Sequence, residues 1–169
     1  MWNDTDVPLA LLITFRCYGT WLHGDERGSV TKTNNIYGTP FIPENKAWLE
    51  KNIAELNHPP VNLNVDMRRS VELAIKETCN FRNWALFAAN ARTNHVHSVI
   101  RSGEVGSKKV LHALKSNATR KMREDGLWLH EHSPWSAGGS RRKLWNEKSI
   151  DAAIDYVLYG QGDDLPEFD

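Results

Sequence analysis

Apolar and polar residues of this chain follow two periods, and the change from one to the other divides the sequence into elements. Segments rich in β-branched and aromatic residues, two of them with alternating side chains, predict four strands, at 9–22, 83–92, 95–102 and 140–145. Apolar residues at helical spacing predict three long helices, at 67–81, 108–124 and 149–160. We expect caps at the helix N-termini, provided by Asp66, Ser107 and Ser149.

The order of these elements is strand, helix, strand, strand, helix, strand and a final helix. The first six match the split β-α-β arrangement of the ferredoxin-like fold, which belongs to the α+β class. We therefore predict one antiparallel sheet with helices on one face, an open second face for a ligand, and an added C-terminal helix. The whole chain, 1–169, is predicted to be one domain.

A Gly-, Asn- and Pro-rich stretch at 23–62 interrupts this order. It is predicted to be a loop or extended arm that includes a short helix at 45–56. Loops of this length are uncommon inside compact domains and are often functional.

Composition and charge change the picture only locally. The 21 basic residues balance the 21 acidic ones, which argues against a protein that coats duplex DNA through bulk charge. The basic residues are nevertheless clustered along the second long helix and the last strand, which predicts a local surface for DNA phosphates. The predicted DNA-binding residues are Lys108, Lys109, Lys115, Arg120, Lys121, Arg123, Arg141 and Arg142. The alternative is a solvated helix face with no ligand.

The sequence also bears on location. It contains no apolar run near the roughly 18 residues that span a bilayer, and no signal peptide is predicted. Two cysteines do not make a disulfide framework, so a cytoplasmic, nucleoid-associated protein is expected.

The most informative short stretch is "NHVHSVI", residues 94–100. Alternation along a strand places His95 and His97 on the same side, about 7 Å apart, which suits two ligands of one divalent ion. An oxygen donor and water would complete a site for Mg²⁺ or Mn²⁺. The alternative is two solvent-facing imidazoles without a metal.

The last predicted helix carries two tyrosines, Tyr156 and Tyr159, neither of them at the centre of its apolar stripe. Either could be a surface residue that packs its ring and keeps its hydroxyl in water. Either could instead attack a phosphate, given a metal or a base to activate the phenol. Gln161 could supply an amide oxygen to a metal.

Taken together, these segments resemble the single-tyrosine transposases of the HUH endonuclease superfamily, in particular the REP-associated tyrosine transposases. The resemblance rests on "ITFRCYGTWLHGDERGSV", "ANARTNHVHSVIRS", "VLHALKSNATRKMRE" and "KLWNEKSIDAAIDYVLYGQ", which occur in that order along nearly the whole chain. The most specific element is the "NHVH" segment in the expected third strand.

The resemblance implies that His95 and His97 bind a divalent metal, and that Tyr156 attacks DNA to form a 5′-phosphotyrosine and free a 3′-hydroxyl. It also implies a homodimer that binds hairpins in single-stranded DNA. The family usually has Asn or Gln four residues after the tyrosine. Here Gly160 occupies that position, so Gln161 becomes the candidate third ligand and Tyr159 the second choice of nucleophile.

Three alternative functions stay open. The first is a domesticated, non-catalytic nucleic-acid-binding protein on the same fold. The second is an RNA-binding module, which lacks support because neither central strand carries the aromatic RNA-recognition pattern. The third is a phosphoesterase that uses the two histidines without a tyrosine.

Overall fold

A computed structural model describes residues 6–20 and 56–160. Four strands form in this part of the chain: β1 (Ala10–Arg16), β2 (Ala85–Ala91), β3 (His95–Arg101) and β4 (Ser140–Leu144). Three helices accompany them: α1 (Val65–Arg82), α2 (Ser107–Glu124) and α3 (Glu147–Tyr159). Most of the predicted arm at 23–62, the predicted short helix at 45–56 and Gln161 lie outside the described residues.

The sheet has the order β2-β3-β1-β4, and all three pairings are antiparallel. This is the strand order that two interleaved β-α-β units produce, so the predicted ferredoxin-like α+β fold is confirmed. The two central strands, β3 and β1, pair directly, with Thr14 opposite His97 and Arg16 opposite His95.

Alternating residues of β1 contribute to two hydrophobic cores, one on each face of the sheet. Leu11, Ile13 and Phe15 pack against α1 and α2 on one face of the sheet. Ala10 and Leu12 pack on the other face, in a core completed by residues of α3. The prediction that the second face is open is therefore only partly right. α3 covers much of that face, because its apolar stripe of Ile150, Ala153 and Val157 must also be buried.

The three predicted helix caps were wrong. The caps lie one to three residues earlier, at Asn64, Gly106 and Asn146. At α3, for example, the side-chain oxygen of Asn146 accepts a hydrogen bond from the backbone N–H of Ser149 at 2.8 Å. Ser149 thus lies inside the first turn, because asparagine one turn earlier satisfies the unpaired helix N–H groups.

The end of the predicted arm joins the domain before α1. The backbone N–H of Val61 donates to the carbonyl of Tyr18 at 2.8 Å, and Val61 and Leu63 are buried in the core under α1 and α2. No helix within residues 6–20 and 56–160 is long and apolar enough to cross a membrane.

Candidate active site on the sheet face beneath α3

The two histidines of "NHVHSVI" lie side by side on the sheet face that α3 covers. Their ring centroids are 4.8 Å apart, and the ring planes are inclined at 72°. His97 is buried, with 4% of its surface exposed, whereas His95 at the end of β3 is half-buried. Strand alternation therefore predicted correctly that both imidazoles share one face.

A neighbouring side chain fixes the orientation of each imidazole. The hydroxyl of Thr14, on the adjacent strand, is hydrogen-bonded to Nδ1 of His97 at 2.6 Å. The amide oxygen of Asn94 lies 2.8 Å from Nδ1 of His95. Metal-binding histidines commonly use one ring nitrogen for such an orienting hydrogen bond and the other for the metal. This arrangement suits binding through Nε2 of both rings.

Burial determines the protonation state of His97. Loss of solvent lowers the pKa of this imidazole from 6.5 to about 3, with smaller contributions in the same direction from the charges of His95 and Arg92. His97 is accordingly neutral at physiological pH. A neutral ring keeps the lone pair that a metal ligand needs.

Tyr156 and Tyr159 occupy very different environments. The ring of Tyr156 packs edge-on against His97, with 5.3 Å between the centroids, whereas Tyr159 is 82% exposed. Burial raises the pKa of the Tyr156 phenol above its usual value of 10.0. The hydroxyl is therefore protonated at neutral pH and requires activation before it can act as a nucleophile.

Asn90 ties α3 to the sheet next to this tyrosine. It lies on β2 directly opposite His97, and its side-chain Nδ2 donates to the carbonyl oxygen of Val157 at 3.0 Å. That carbonyl belongs to the last turn of α3, where helix carbonyls lack their usual partners. The hydrogen bond fixes the helix segment that carries Tyr156 over the imidazole pair.

Sequence reasoning missed the roles of Thr14 and Asn90. Both lie in the same row of the sheet as His97, one on each neighbouring strand. Their polar character inside otherwise apolar strands was a usable signal, but the strand register that brings them to His97 was not visible in the sequence.

Within the described ranges, the imidazole pair has no third histidine, cysteine or acidic side chain beside it that could complete a metal site. No group of three histidine, cysteine or acidic side chains among residues 6–20 and 56–160 could hold a metal ion. The candidate ligand Gln161 lies just outside them. The chemistry of the donor pair, two adjacent oriented imidazoles of which His97 is neutral, fits a divalent metal that takes its other ligands elsewhere.

The predicted DNA-binding residues divide between the two faces of the sheet. α2, with its basic residues, packs on the face opposite α3, so these residues lie across the sheet from the histidines. Lys115 is engaged internally, since its Nζ donates to the carbonyls of Ser136 and Gly138, both at 2.8 Å, and burial lowers its pKa.

Other predicted basic residues also make contacts within the fold. Arg120 forms an ion pair with Glu124 at 2.8 Å, and Arg123 donates to a backbone carbonyl. Arg141 lies on the α2 side and donates to Ser107. Arg142 is opposite Leu12 and so lies on the α3 side with the histidines.

Arg16 is a further basic residue beside the imidazoles. It is two positions beyond Thr14 and directly opposite His95, so alternation places it on the same face as both histidines. The basic clusters of the sequence did not include it, because it stands alone in an apolar strand.

One protein family and one solved structure are similar to this chain. The family described as "Transposase IS200 like" matches residues 60–156, a segment that contains both histidines and ends at Tyr156. Among solved structures, the chain is similar to one described as "Structure of the REP associates tyrosine transposase bound to a REP hairpin". That similarity has a TM-score of 0.47 at 11% sequence identity and covers 93% of this chain and 69% of that one. No curated protein matches the chain.

Proposed function

The chain belongs to the IS200-like transposase family, whose model matches more than half of its length, and we propose a reaction on this premise. The protein cleaves and rejoins single-stranded DNA through Tyr156. The observation that carries the proposal is the position of the Tyr156 ring, which packs against His97 in the imidazole pair. A phenol and two oriented imidazoles meet on one sheet face, where a DNA phosphate could contact both.

In the proposed reaction, Oη of Tyr156 loses its proton to solvent and attacks the scissile phosphorus. A bond forms between Oη and phosphorus, the bond from phosphorus to the 3′-oxygen breaks, and the 3′-oxygen takes up a proton. The products are a 5′-phosphotyrosine and a free 3′-hydroxyl. The phosphotyrosine is itself a phosphodiester, so attack by another 3′-hydroxyl rejoins the DNA without ATP.

His95 and His97 would hold a divalent metal, Mg²⁺ or Mn²⁺, with Gln161 as the proposed third ligand. When bound, such an ion neutralises charge on the phosphate and favours the ionised form of a nearby nucleophile. Thr14 and Asn94 hold the two rings by their Nδ1 atoms. Asn90 holds the tyrosine helix through the Val157 carbonyl, so the nucleophile is positioned before DNA binds.

The proposed DNA partner is single-stranded DNA that contains a hairpin, bound by a homodimer. Arg16 and Arg142, on the face of the histidines, are the proposed contacts to phosphates near the cleaved bond. The basic residues of α2, together with Arg141, are proposed to contact phosphates farther along the DNA. Light scattering after size-exclusion chromatography, with and without a hairpin oligonucleotide, tests the dimer.

A labelled hairpin oligonucleotide with unpaired flanks, incubated with the protein and Mn²⁺, tests the reaction. We expect a covalent protein–DNA band on a denaturing gel, absent from Tyr156→Phe and retained by Tyr159→Phe. The band should also be lost in EDTA and in His97→Ala. An adduct that persists in Tyr156→Phe but is lost in Tyr159→Phe would instead identify Tyr159 as the nucleophile.

The second candidate function is a non-catalytic nucleic-acid-binding protein on this fold. Gly160 favours it, because the side chain usual at that position in the family is missing. This candidate predicts hairpin binding by the wild-type protein without any covalent band, in Mg²⁺ or in Mn²⁺.

A further inference from the structure

A second cluster of rings lies beyond the end of the central strand β1, outside the site built around His97. Its members come from three separate segments of the chain: the end of β1, the segment before α1 and the loop between α2 and β4. The five rings are those of Tyr18, His58, Trp128, His130 and His132. We call this cluster the ring platform.

The rings of the platform are stacked rather than scattered. His58 and His132 lie face to face, with centroids 3.7 Å apart and planes inclined by 9°. His130 also stacks on His132, at 5.3 Å and 29°. Tyr18 and Trp128 contact these imidazoles with their rings inclined. His132 is thus the central ring, in contact with all four others.

Backbone hydrogen bonds hold the three segments of the platform in place. The backbone N–H of Tyr18 donates to the carbonyl of Pro134 at 2.8 Å, and its carbonyl accepts from Val61 at 2.8 Å. The indole Nε1 of Trp128 donates to the carbonyl of His132 at 2.9 Å. The rings are therefore preorganised, which lowers the entropy lost when a ligand binds to them.

The outer members of the platform are accessible and lack polar partners among the described residues. His58 and His130 are both exposed, whereas Trp128 beneath them is buried. Within residues 6–20 and 56–160, neither exposed imidazole forms a hydrogen bond. The face of each ring that does not stack on His132, and the ring nitrogens, are available for a planar ligand with hydrogen-bonding edges.

The platform adjoins the candidate active site. The backbone N–H of Cys17 donates to the carbonyl of Asn94 at 2.9 Å. Tyr18 is the residue after Cys17, and His95 is the residue after Asn94. Tyr18 and Trp128 pack against the core under α1 and α2, so the platform faces away from the histidines. A DNA strand with a phosphate at His95 and His97 would reach it by passing around the strand ends at Cys17 and Asn94.

We infer that the ring platform stacks an unpaired nucleobase of the DNA strand that Tyr156 cleaves, a role that rests on the proposed function. Imidazole and phenol rings stack on any base, while the imidazole nitrogens can hydrogen-bond to base edges. A metal ion is a poorer candidate ligand, because no group of three metal-binding side chains in the described ranges could hold one.

Pairing protein variants with modified DNA tests this inference. Each unpaired position next to the hairpin is replaced in turn by an abasic site, and dissociation constants are measured by fluorescence anisotropy without metal, so that no cleavage occurs. For the wild type we expect one or two abasic positions to weaken binding by about 5- to 100-fold, the usual effect of losing one stacked base. The double variant His58→Ala/His130→Ala should bind the intact DNA with a similar loss.

The decisive measurement combines the abasic DNA with the double alanine variant. If base and rings contact each other, an abasic site at the sensitive position costs little further affinity in the double variant. The variant His58→Phe/His130→Phe keeps the stacking rings and should retain most of the affinity. His112→Ala, an exposed histidine on α2 away from the platform, is the matched control and should behave as wild type.

Two results would overturn the platform without affecting the proposed function. The first is additive loss from the abasic site and the alanine substitutions. The second is an equal loss in the alanine and phenylalanine variants. In either case the covalent band with Tyr156 would still form. Absence of both DNA binding and the band in the wild type would instead remove the proposed function, and the platform with it.

Discussion

The buried imidazole of His97 makes the stability of the fold depend on pH in a way that one substitution can isolate. Its pKa is lowered from 6.5 to about 3 in the folded protein, chiefly by burial. On unfolding the ring returns to water and regains its ordinary pKa. Between these two values the unfolded chain binds a proton that the folded chain does not, so the free energy of unfolding falls as the pH falls.

The size of this effect follows from the two pKa values. Each pH unit well inside that window lowers the free energy of unfolding by about 1.4 kcal/mol. The loss between about pH 7.5 and about pH 5 is therefore roughly 2 kcal/mol. The effect is nearly absent above about pH 7.5 and complete below about pH 3. Aspartate and glutamate begin to titrate near about pH 4, so measurements above about pH 5 separate the histidine from the carboxylates.

The assay is urea unfolding at a series of pH values, in EDTA so that metal binding does not add its own pH dependence. In His97→Asn, whose amide can still reach the hydroxyl of Thr14, the fall in unfolding free energy between about pH 7.5 and about pH 5 should be smaller by roughly 2 kcal/mol. His112→Asn, at an exposed position on α2, should keep the wild-type pH dependence. Identical pH dependence in the wild type and His97→Asn would refute the argument that His97 is buried in its neutral form.

Three further predictions concern the residues around the site. Asn90→Leu keeps the approximate size of the side chain without adding charge but removes the N–H group that donates to Val157. We expect adduct formation to slow by about 5- to 100-fold with hairpin affinity unchanged, and equal rates would show that this contact does not position Tyr156. Gly139→Ala would place a Cβ 2.7 Å from the carbonyl oxygen of Thr14 at φ +154°, and urea unfolding should show a loss of about 1–3 kcal/mol, with unchanged stability as the contrary result. Lys115→Met keeps the apolar stem but leaves two loop carbonyls without their donor, which should cost about 1–3 kcal/mol in the same assay, whereas Lys109→Met at an exposed position should cost little.

The pattern of the sequence was sufficient for the fold and for one part of the site. The alternation in β3 correctly placed both imidazoles on one face, because a period of two leaves no other choice once the strand is identified. The helical spacing that predicted α2 also agrees with the residues it buries, among them Val110, Leu114 and Met122. These features are local, so nearby residues are enough to determine them.

The missed features depend on residues far apart in the sequence. Thr14 and Asn90 reach His97 only through the register of β1 and β2 against β3, and register depends on the whole sheet. The basic residues of α2 were identified correctly as a cluster, but which face of the sheet the helix covers relative to the histidines is a property of the packing. Sequence position alone could not show that the cluster lies across the sheet from His97.

The packing of α3 explains why Tyr156, the proposed nucleophile, contacts His97 and Tyr159 does not. Ala153 and Val157 are one turn apart and both are buried against the sheet, which fixes the rotation of the helix about its axis. At about 100° per residue, Tyr156 lies within roughly 60° of Ala153 and 100° of Val157, at the border of the buried stripe. Tyr159 lies about 200° from Val157, on the solvent side, in agreement with its 82% exposure.

The apolar contacts that stabilise the helix therefore also direct the Tyr156 ring to His97. Loosening them, as in Val157→Ala, should slow adduct formation even though the substituted side chain has no role in the chemistry.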